Sequence, residues 1–153
     1  MTIPSNIDLF NRVALAAFQR LYLSFPVPID LAVNDLVMSA MPLGAAFDDA
    51  FTALSMGREA LEFLAGEGFL THKGCHVEGS YCLQVRLTMK GLAILGSIPA
   101  SLTHKETLMS KIGAIAGKGL RNAASDQVQE LTSQIFSFAM ASAPTVAAMV
   151  LRR

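Results

Sequence analysis

The chain has 153 residues and a mass of 16.3 kDa, which is the size of one compact domain with a short appendage. Hydrophobic residues make up 52% of the chain and charged residues only 16%, so a wholly disordered protein or a tail that coats nucleic acid is excluded. Twelve basic and twelve acidic residues give a net charge of zero, which provides no overall attraction to nucleic acid or to an anionic membrane and favours self-association.

The first part of the chain predicts three helices. Apolar residues recur at helical spacing over residues 5–23, and a segment with two prolines then ends the pattern. Asp30 is placed to cap a second helix that runs to about residue 41. A third helix is predicted over residues 47–65, although Gly57 weakens its middle.

A β-hairpin and a short helix follow. Residues 69–72 and 80–87 have the composition of two strands, joined by a glycine-bearing connection over residues 73–79. Alternation in the second strand predicts an apolar face made of Tyr81, Leu83, Val85 and Leu87. Thr88 is a suitable cap for a helix that ends near Gly96.

Two stretches around this hairpin carry a resemblance to a known family. The run LEFLAGEGFL at residues 61–70 is similar to the end of a recognition helix and its exit into a wing, and VRLTMKGL at residues 85–92 is similar to the "LT-x-KG" start of the last helix in winged-helix proteins. The resemblance extends over about residues 6–100. It implies a mainly α fold with a small β-hairpin, in which residues 47–64 are the recognition helix, residues 73–79 the wing tip, and DNA binding the associated activity.

Residues 104–153 have a different composition from residues 1–103. Leu108, Ile112, Ile115 and Leu120 form one helical stripe, and a second series at steps of four and three resembles a short coiled-coil seam. We therefore expect a winged-helix-like domain at 1–103 and a C-terminal helical oligomerisation tail at 104–153. The residues of the expected interface are Ala124, Val128, Leu131, Ile135 and Phe138.

The distribution of charge argues against DNA binding. Residues 1–103 hold six basic and nine acidic residues, whereas residues 104–153 hold six basic and three acidic ones. The predicted recognition helix begins with Asp48 and Asp49, where a helix in a major groove offers cations or amides. The residues left for a small phosphate-binding patch beside the wing are Arg58, Lys73, His76 and Arg86.

No catalytic, metal or cofactor site is predicted. His72, Cys75, His76 and Cys82 cluster around the hairpin, but their spacing does not supply the close pairs of a structural zinc site, so we interpret them as strand residues and solvated wing residues. The sequence contains no serine-nucleophile elbow, phosphate loop or metalloprotease motif, so we expect no enzyme activity and no cofactor. Two cysteines and an N-terminus without features of an export signal predict a cytoplasmic protein.

Three functions are compatible with these features. The favoured prediction is a non-enzymatic interaction or regulatory module that forms a homo-oligomer through its C-terminal helices, with an unidentified protein partner. The first alternative is a dimeric DNA-binding transcriptional regulator. The second is a membrane-associated protein, held either by the basic amphipathic helix at residues 105–121 or by the apolar segment at residues 135–151.

Overall fold

The computed structural model describes residues 4–42, 50–76, 81–97 and 106–151, with side chains described in these ranges except at 50–51 and 142–151. The described chain is mainly helical and has a small antiparallel β-sheet. The elements of the first part are α1 (Ser5–Ser24), β1 (Ile29–Ala32), α2 (Val33–Ala40), α3 (Ala50–Gly66) and β2 (Leu70–Thr71). The later elements are β3 (Cys75–His76), β4 (Tyr81–Leu87), α4 (Met89–Leu95), α5 (Leu108–Gly117), a single 3-10 turn (Leu120–Asn122) and α6 (Ser125–Leu151).

The prediction that Asp30 caps the second helix is wrong. Residues Ile29–Ala32 form β1, which pairs antiparallel with β4, and α2 begins only at Val33. The carboxylate of Asp30 instead accepts a hydrogen bond from the backbone N–H of Gln84, with Oδ1 2.9 Å from the nitrogen. Pairing with β4 therefore makes a strand of the residues that the sequence pattern alone assigns to the start of a helix. The predicted start of the third helix at Phe47 lies outside the described residues.

The predicted apolar face of β4 is correct in its second half and wrong in its first. Val85 and Leu87 are buried, but Tyr81 is 48% exposed and Cys82 is fully buried. Gln84, at φ 53°, occupies the left-handed region, and the pairing with β1 gains one extra residue on β4 at this point. Such a bulge reverses the alternation of side chains between the two faces of a strand, because side chains alternate with a period of two.

The stretches that carried the family resemblance contact each other directly. The Thr88 side chain accepts a hydrogen bond from the N–H of Gly91 (3.0 Å) as the predicted cap of α4, and its hydroxyl donates to the carbonyl of Gly68 (2.5 Å). A Cβ atom on Gly91 would lie 2.3 Å from the carbonyl oxygen of Phe69, so only glycine fits there. Lys90 donates to the carbonyl of Glu67 (2.9 Å) beyond the end of α3. Thr88, Lys90 and Gly91 thus hold the start of α4 against the end of α3.

The C-terminal helices pack onto the rest of the described chain and share its core. Leu108, Ile112, Ile115 and Leu120 are buried, as their spacing predicts, and α5 and α6 both contact α1. One hydrophobic cluster contains residues from α1 through α6. The boundary predicted between residues 103 and 104 lies outside the described residues, and no separation of cores is seen between the parts described on either side of it.

Arg12 of α1 forms hydrogen bonds that hold the C-terminal helices against α1. Its side chain is 1% exposed, and its Nε donates to Oδ2 of Asp8 at 3.0 Å. The other guanidinium nitrogens donate to the carbonyl oxygens of Leu120 (2.6 Å) and Ala123 (2.9 Å) and to the hydroxyl of Ser125 (3.1 Å). A buried arginine with an acidic partner and further acceptors avoids the cost of an unpaired charge. It therefore fixes the start of α6 against α1.

Candidate functional site

An apolar groove lies between the first turns of α1 and the exposed side of α3. We call it the α1–α3 groove, and its volume is about 520 Å³. Residues three and four apart on a helix share one face, which is how each helix presents a continuous wall. Its lining residues are Asn6, Ile7 and Phe10 from α1, and Ser55, Met56, Arg58, Glu59, Ala60 and Phe63 from α3.

The two aromatic residues that line the groove are held in place by contacts with other rings. The rings of Phe10 and Phe63 meet edge to face with centroids 5.6 Å apart, and Phe10 also stacks on Phe136 of α6 at 5.9 Å. Phe63 nevertheless remains 55% exposed, and Ile7 is 42% exposed. Large apolar side chains that are grouped at a surface and held by packing from below are typical of contact sites for other molecules.

The groove is bordered by charges of both signs. Arg58 and Glu59 form an ion pair with Nη2 and Oε1 3.5 Å apart, and their side chains are 28% and 68% exposed. Glu62 is exposed further along the same helix, and Glu67 is exposed just beyond its end. The described part of α3 therefore presents an acidic and apolar surface to solvent, with Arg58 as its one basic residue.

The residues predicted for a phosphate-binding patch fall into two places. Arg58 lines the α1–α3 groove and is paired with Glu59. Lys73, His76 and Arg86 are exposed on the hairpin formed by β2, β3 and β4. Three of the four thus lie on the hairpin, with His76 opposite Tyr81 and Arg86 opposite Thr71, while Arg58 belongs to a different surface. Asp48 and Asp49 lie outside the described residues.

Of the residues predicted as an oligomer seam, Ala124 precedes α6, and the others lie along α6 and mostly serve the core of the single chain. Val128, Leu131 and Ile135 are at most 2% exposed, and α6 packs on α1, α4 and α5. Phe138 is partly buried against the same core, and Ala124 is exposed. Self-association stays a prediction, but Val128, Leu131 and Ile135 offer almost no accessible surface to a second copy.

A second cluster of chemically active side chains lies where β3 meets the end of α3. Cys75 and Cys82 form a disulfide, and Nε2 of His72 lies 3.4 Å from Oε1 of Glu62 and 4.0 Å from Sγ of Cys75. The interpretation of His72 as a solvated wing residue is wrong, because its side chain is 12% exposed. The sequence indicated His72, Cys75 and Cys82 as neighbours, but it offered no signal for Glu62, which belongs to α3.

The groove was also missed by the sequence analysis. In the helical spacing that predicts the first helix Ile7 and Phe10 are inward residues, and the stripe that predicts the third helix, Phe47, Ala50, Phe51, Leu54, Leu61 and Leu64, does not include Phe63. An aromatic residue on the polar side of an amphipathic helix is the one signal that could have indicated a contact surface there.

The structure adds no support for the alternative of membrane attachment. Among the described helices, none combines the length and the hydropathy that a bilayer span requires. The apolar stripe of α5, which had been considered for a membrane interface, is buried in the core at Leu108, Ile112 and Ile115.

Comparison with known proteins adds no relative. No family model, no curated protein and no solved structure matches the chain.

Proposed function

We propose that this protein is a non-enzymatic interaction module of the winged-helix type, which self-associates and acts in regulation through protein contacts. The order of elements supports the winged-helix assignment: three helices precede a hairpin, and a short helix capped by Thr88 follows it. β1 adds to the edge of β4. The contacts of Thr88, Lys90 and Gly91 with the exit of α3 give a physical reason for the sequence pattern that suggested the family.

The observation that carries the proposed function is the character of the surface of α3. In a winged-helix arrangement α3 takes the place of the recognition helix, yet its described surface carries glutamates and the exposed ring of Phe63. Carboxylates repel phosphates, whereas a grouped apolar surface gains free energy when another protein removes it from water. A protein partner therefore fits this surface better than a nucleic acid does.

The occupant that we propose for the α1–α3 groove is the same groove of a second copy. In a two-fold dimer the same patch of each copy faces the other. A basic residue of one copy can then pair with the neighbouring acidic residue of the other copy, and the reverse pair forms by symmetry. Arg58 and Glu59 are such neighbours. The zero net charge of the chain adds no overall repulsion between copies. The groove replaces the α6 stripe as the proposed contact, because the core already occupies most of that stripe.

Light scattering coupled to size-exclusion chromatography tests the proposal. The wild-type chain is expected to elute as a dimer. Phe63→Glu should weaken the dimer by at least about tenfold, equivalent to about 1.4 kcal/mol, because a carboxylate would be buried in the contact. Met89→Glu is the matched control, since Met89 is a 75% exposed apolar residue on α4 outside the groove. A monomeric wild type, or equal weakening by both variants, would overturn the proposal.

A DNA-binding regulator is the second candidate, favoured by the cations of the hairpin. Lys73 and Arg86 are exposed, and neither forms an ion pair with any other described residue. A regulator should bind random duplex DNA at low salt, with an affinity that falls steeply as salt rises. The double variant Lys73→Ala/Arg86→Ala should then bind more weakly and with a shallower salt dependence. Absence of binding by the wild type at low salt would remove this candidate.

A further inference from the structure

The two cysteines differ sharply in their access to solvent. Cys75 on β3 and Cys82 on β4 are direct partners across the two strands, with Cα atoms 3.9 Å apart, and their sulfur atoms are joined. Cys82 is fully buried, whereas Cys75 is partly exposed. Of the two, Cys75 is therefore the residue that a thiol arriving from solvent can approach, and the sulfur of Cys82 is the leaving group when the bond breaks.

His72 is held with its Nε2 between this sulfur and the carboxylate of Glu62. Its Nδ1 accepts a hydrogen bond from the backbone N–H of Gly74 at 2.9 Å, so in the neutral ring the proton is on Nε2. Nε2 lies 4.0 Å from Sγ of Cys75 and 3.4 Å from Oε1 of Glu62. In this tautomer Nε2 can donate to a thiolate on Cys75.

A metal ion is a poorer explanation for the same cluster. The ligand atoms of Glu62, His72 and Cys75 lie within 4.8 Å of one another, which is compatible with a shared cation. A metal bound to Nε2 of a neutral ring would place the proton on Nδ1, where it would face the N–H of Gly74. The hydrogen bond from Gly74 thus favours a proton at Nε2 rather than a metal.

We propose that Cys75 and Cys82 form a reversible thiol–disulfide exchange site for thiols and disulfides of low molecular weight, with His72 as the group that stabilises the thiolate of Cys75. The inference goes beyond the proposed function and does not depend on the α1–α3 groove.

The exchange proceeds in two balanced displacements. A thiolate RS⁻ attacks Sγ of Cys75 in the oxidised chain, the bond between Cys75 and Cys82 breaks, and the electron pair leaves on Cys82, which takes a proton from water. A second RS⁻ attacks the sulfur of R in the mixed disulfide, which releases RSSR and leaves the thiolate of Cys75 beside Nε2 of His72. Two thiols are oxidised and one protein disulfide is reduced, and the reverse sequence oxidises the protein with RSSR.

Glutathione is a suitable probe for the first part of the test. The Cys82→Ser variant, incubated with oxidised glutathione, should accumulate a one-glutathione adduct at Cys75 that intact-mass spectrometry detects. The Cys75→Ser variant should form little adduct, because Cys82 is buried. In the reduced wild-type chain, peptide mapping after timed alkylation should show Cys75 modified at least about tenfold faster than Cys82.

The role of His72 is tested by a matched pair of histidine variants. His72→Asn should slow alkylation of Cys75 at neutral pH by about tenfold and move its pH profile to higher pH, because the thiolate loses its donor. His76→Asn removes an exposed histidine one residue from Cys75 and should leave both unchanged. The titratable groups that the described residues place at this sulfur are His72 and Glu62, while Lys73 and His76 are exposed neighbours along the chain.

Several results would overturn the proposal. These are equal alkylation rates at the two cysteines, preferential adduct formation at Cys82, or a native chain that thiols reduce only after denaturant is added. An identical effect of His72→Asn and His76→Asn would remove the role of His72. Circular dichroism establishes that each variant is folded, and should a cysteine variant fail to fold, the mapping of the wild-type chain decides the question by itself.

Discussion

Replacement of Arg12 by alanine should destabilise the protein more than removal of a surface arginine would. The guanidinium group is 1% exposed and donates to Asp8, to two backbone carbonyls and to Ser125. Its removal leaves the carboxylate of Asp8 without its positive partner at a site where that side chain is 14% exposed. Loss of one partner of a buried ion pair costs about 3–5 kcal/mol, and each orphaned buried carbonyl about 1–3 kcal/mol. Since these terms overlap, we expect a total loss of about 4 kcal/mol.

Urea unfolding at equilibrium measures this loss. Arg12→Ala should lower the midpoint while the slope with denaturant stays unchanged, because the folded state remains compact. Arg121→Ala is the control, since Arg121 is exposed next to Leu120 and its removal should change the free energy of unfolding by less than about 0.5 kcal/mol. Addition of Asp8→Asn to Arg12→Ala should recover about 1 kcal/mol or more, because the unpaired charge is then gone.

Two outcomes would refute this reasoning. A loss of less than about 1 kcal/mol in Arg12→Ala would mean that the start of α6 is not held by the guanidinium group. Failure of Asp8→Asn to recover any stability in the double variant would mean that the carboxylate is not isolated from water when Arg12 is absent.

Three glycine substitutions separate close packing from helix propensity, with urea unfolding as the measurement. Gly91→Ala should cost about 3 kcal/mol, since its Cβ would lie 2.3 Å from the carbonyl oxygen of Phe69. Gly57→Ala should cost about 1–2 kcal/mol despite better helix propensity, because its Cβ would lie 2.5 Å from Cγ2 of Val37 on α2. Gly113→Ala in α5, with nothing within 4 Å of the added atom, should instead stabilise by about 1 kcal/mol. Stabilisation by the first two would contradict the packing argument.

Periodicity and capping chemistry indicated the helices, apart from the start of α2, but not the sheet. The length of α1 and the cap at Thr88 follow from local rules, because a helix buries one face and satisfies its ends within a few residues. β1 could not be inferred, because the residues that make it a strand are its partners on β4, about fifty positions away. The bulge at Gln84 likewise depends on that pairing, and it reversed the predicted faces of Tyr81 and Cys82.

The apolar stripe of α6 shows a different limit of sequence reasoning. Its spacing correctly indicated a face that must be covered, but spacing does not say whether the cover belongs to the same chain or to another. In the structure α1, α4 and α5 cover Val128, Leu131 and Ile135. Arg12 is the residue that could have revealed the docking, but a single arginine on a helix is more often a solvated charge.

The candidate sites were least accessible to sequence reasoning, because each is made by contacts between elements. The groove needs α1 and α3 side by side, and the exchange site needs Glu62 of α3 near His72 and Cys75 of the hairpin. His72 and Cys75 are close in the sequence, but Glu62 and the two walls of the groove come from separate elements and share no local motif.

Sedimentation equilibrium of charge-swapped chains tests the central claim, self-association through the α1–α3 groove, most directly. Arg58→Glu and Glu59→Arg should each weaken the dimer, because each places like charges opposite one another across the two-fold axis. The double variant Arg58→Glu/Glu59→Arg restores opposite charges and should recover the wild-type dimer. A wild type that sediments as a monomer, or a double variant no better associated than the single ones, would contradict the account.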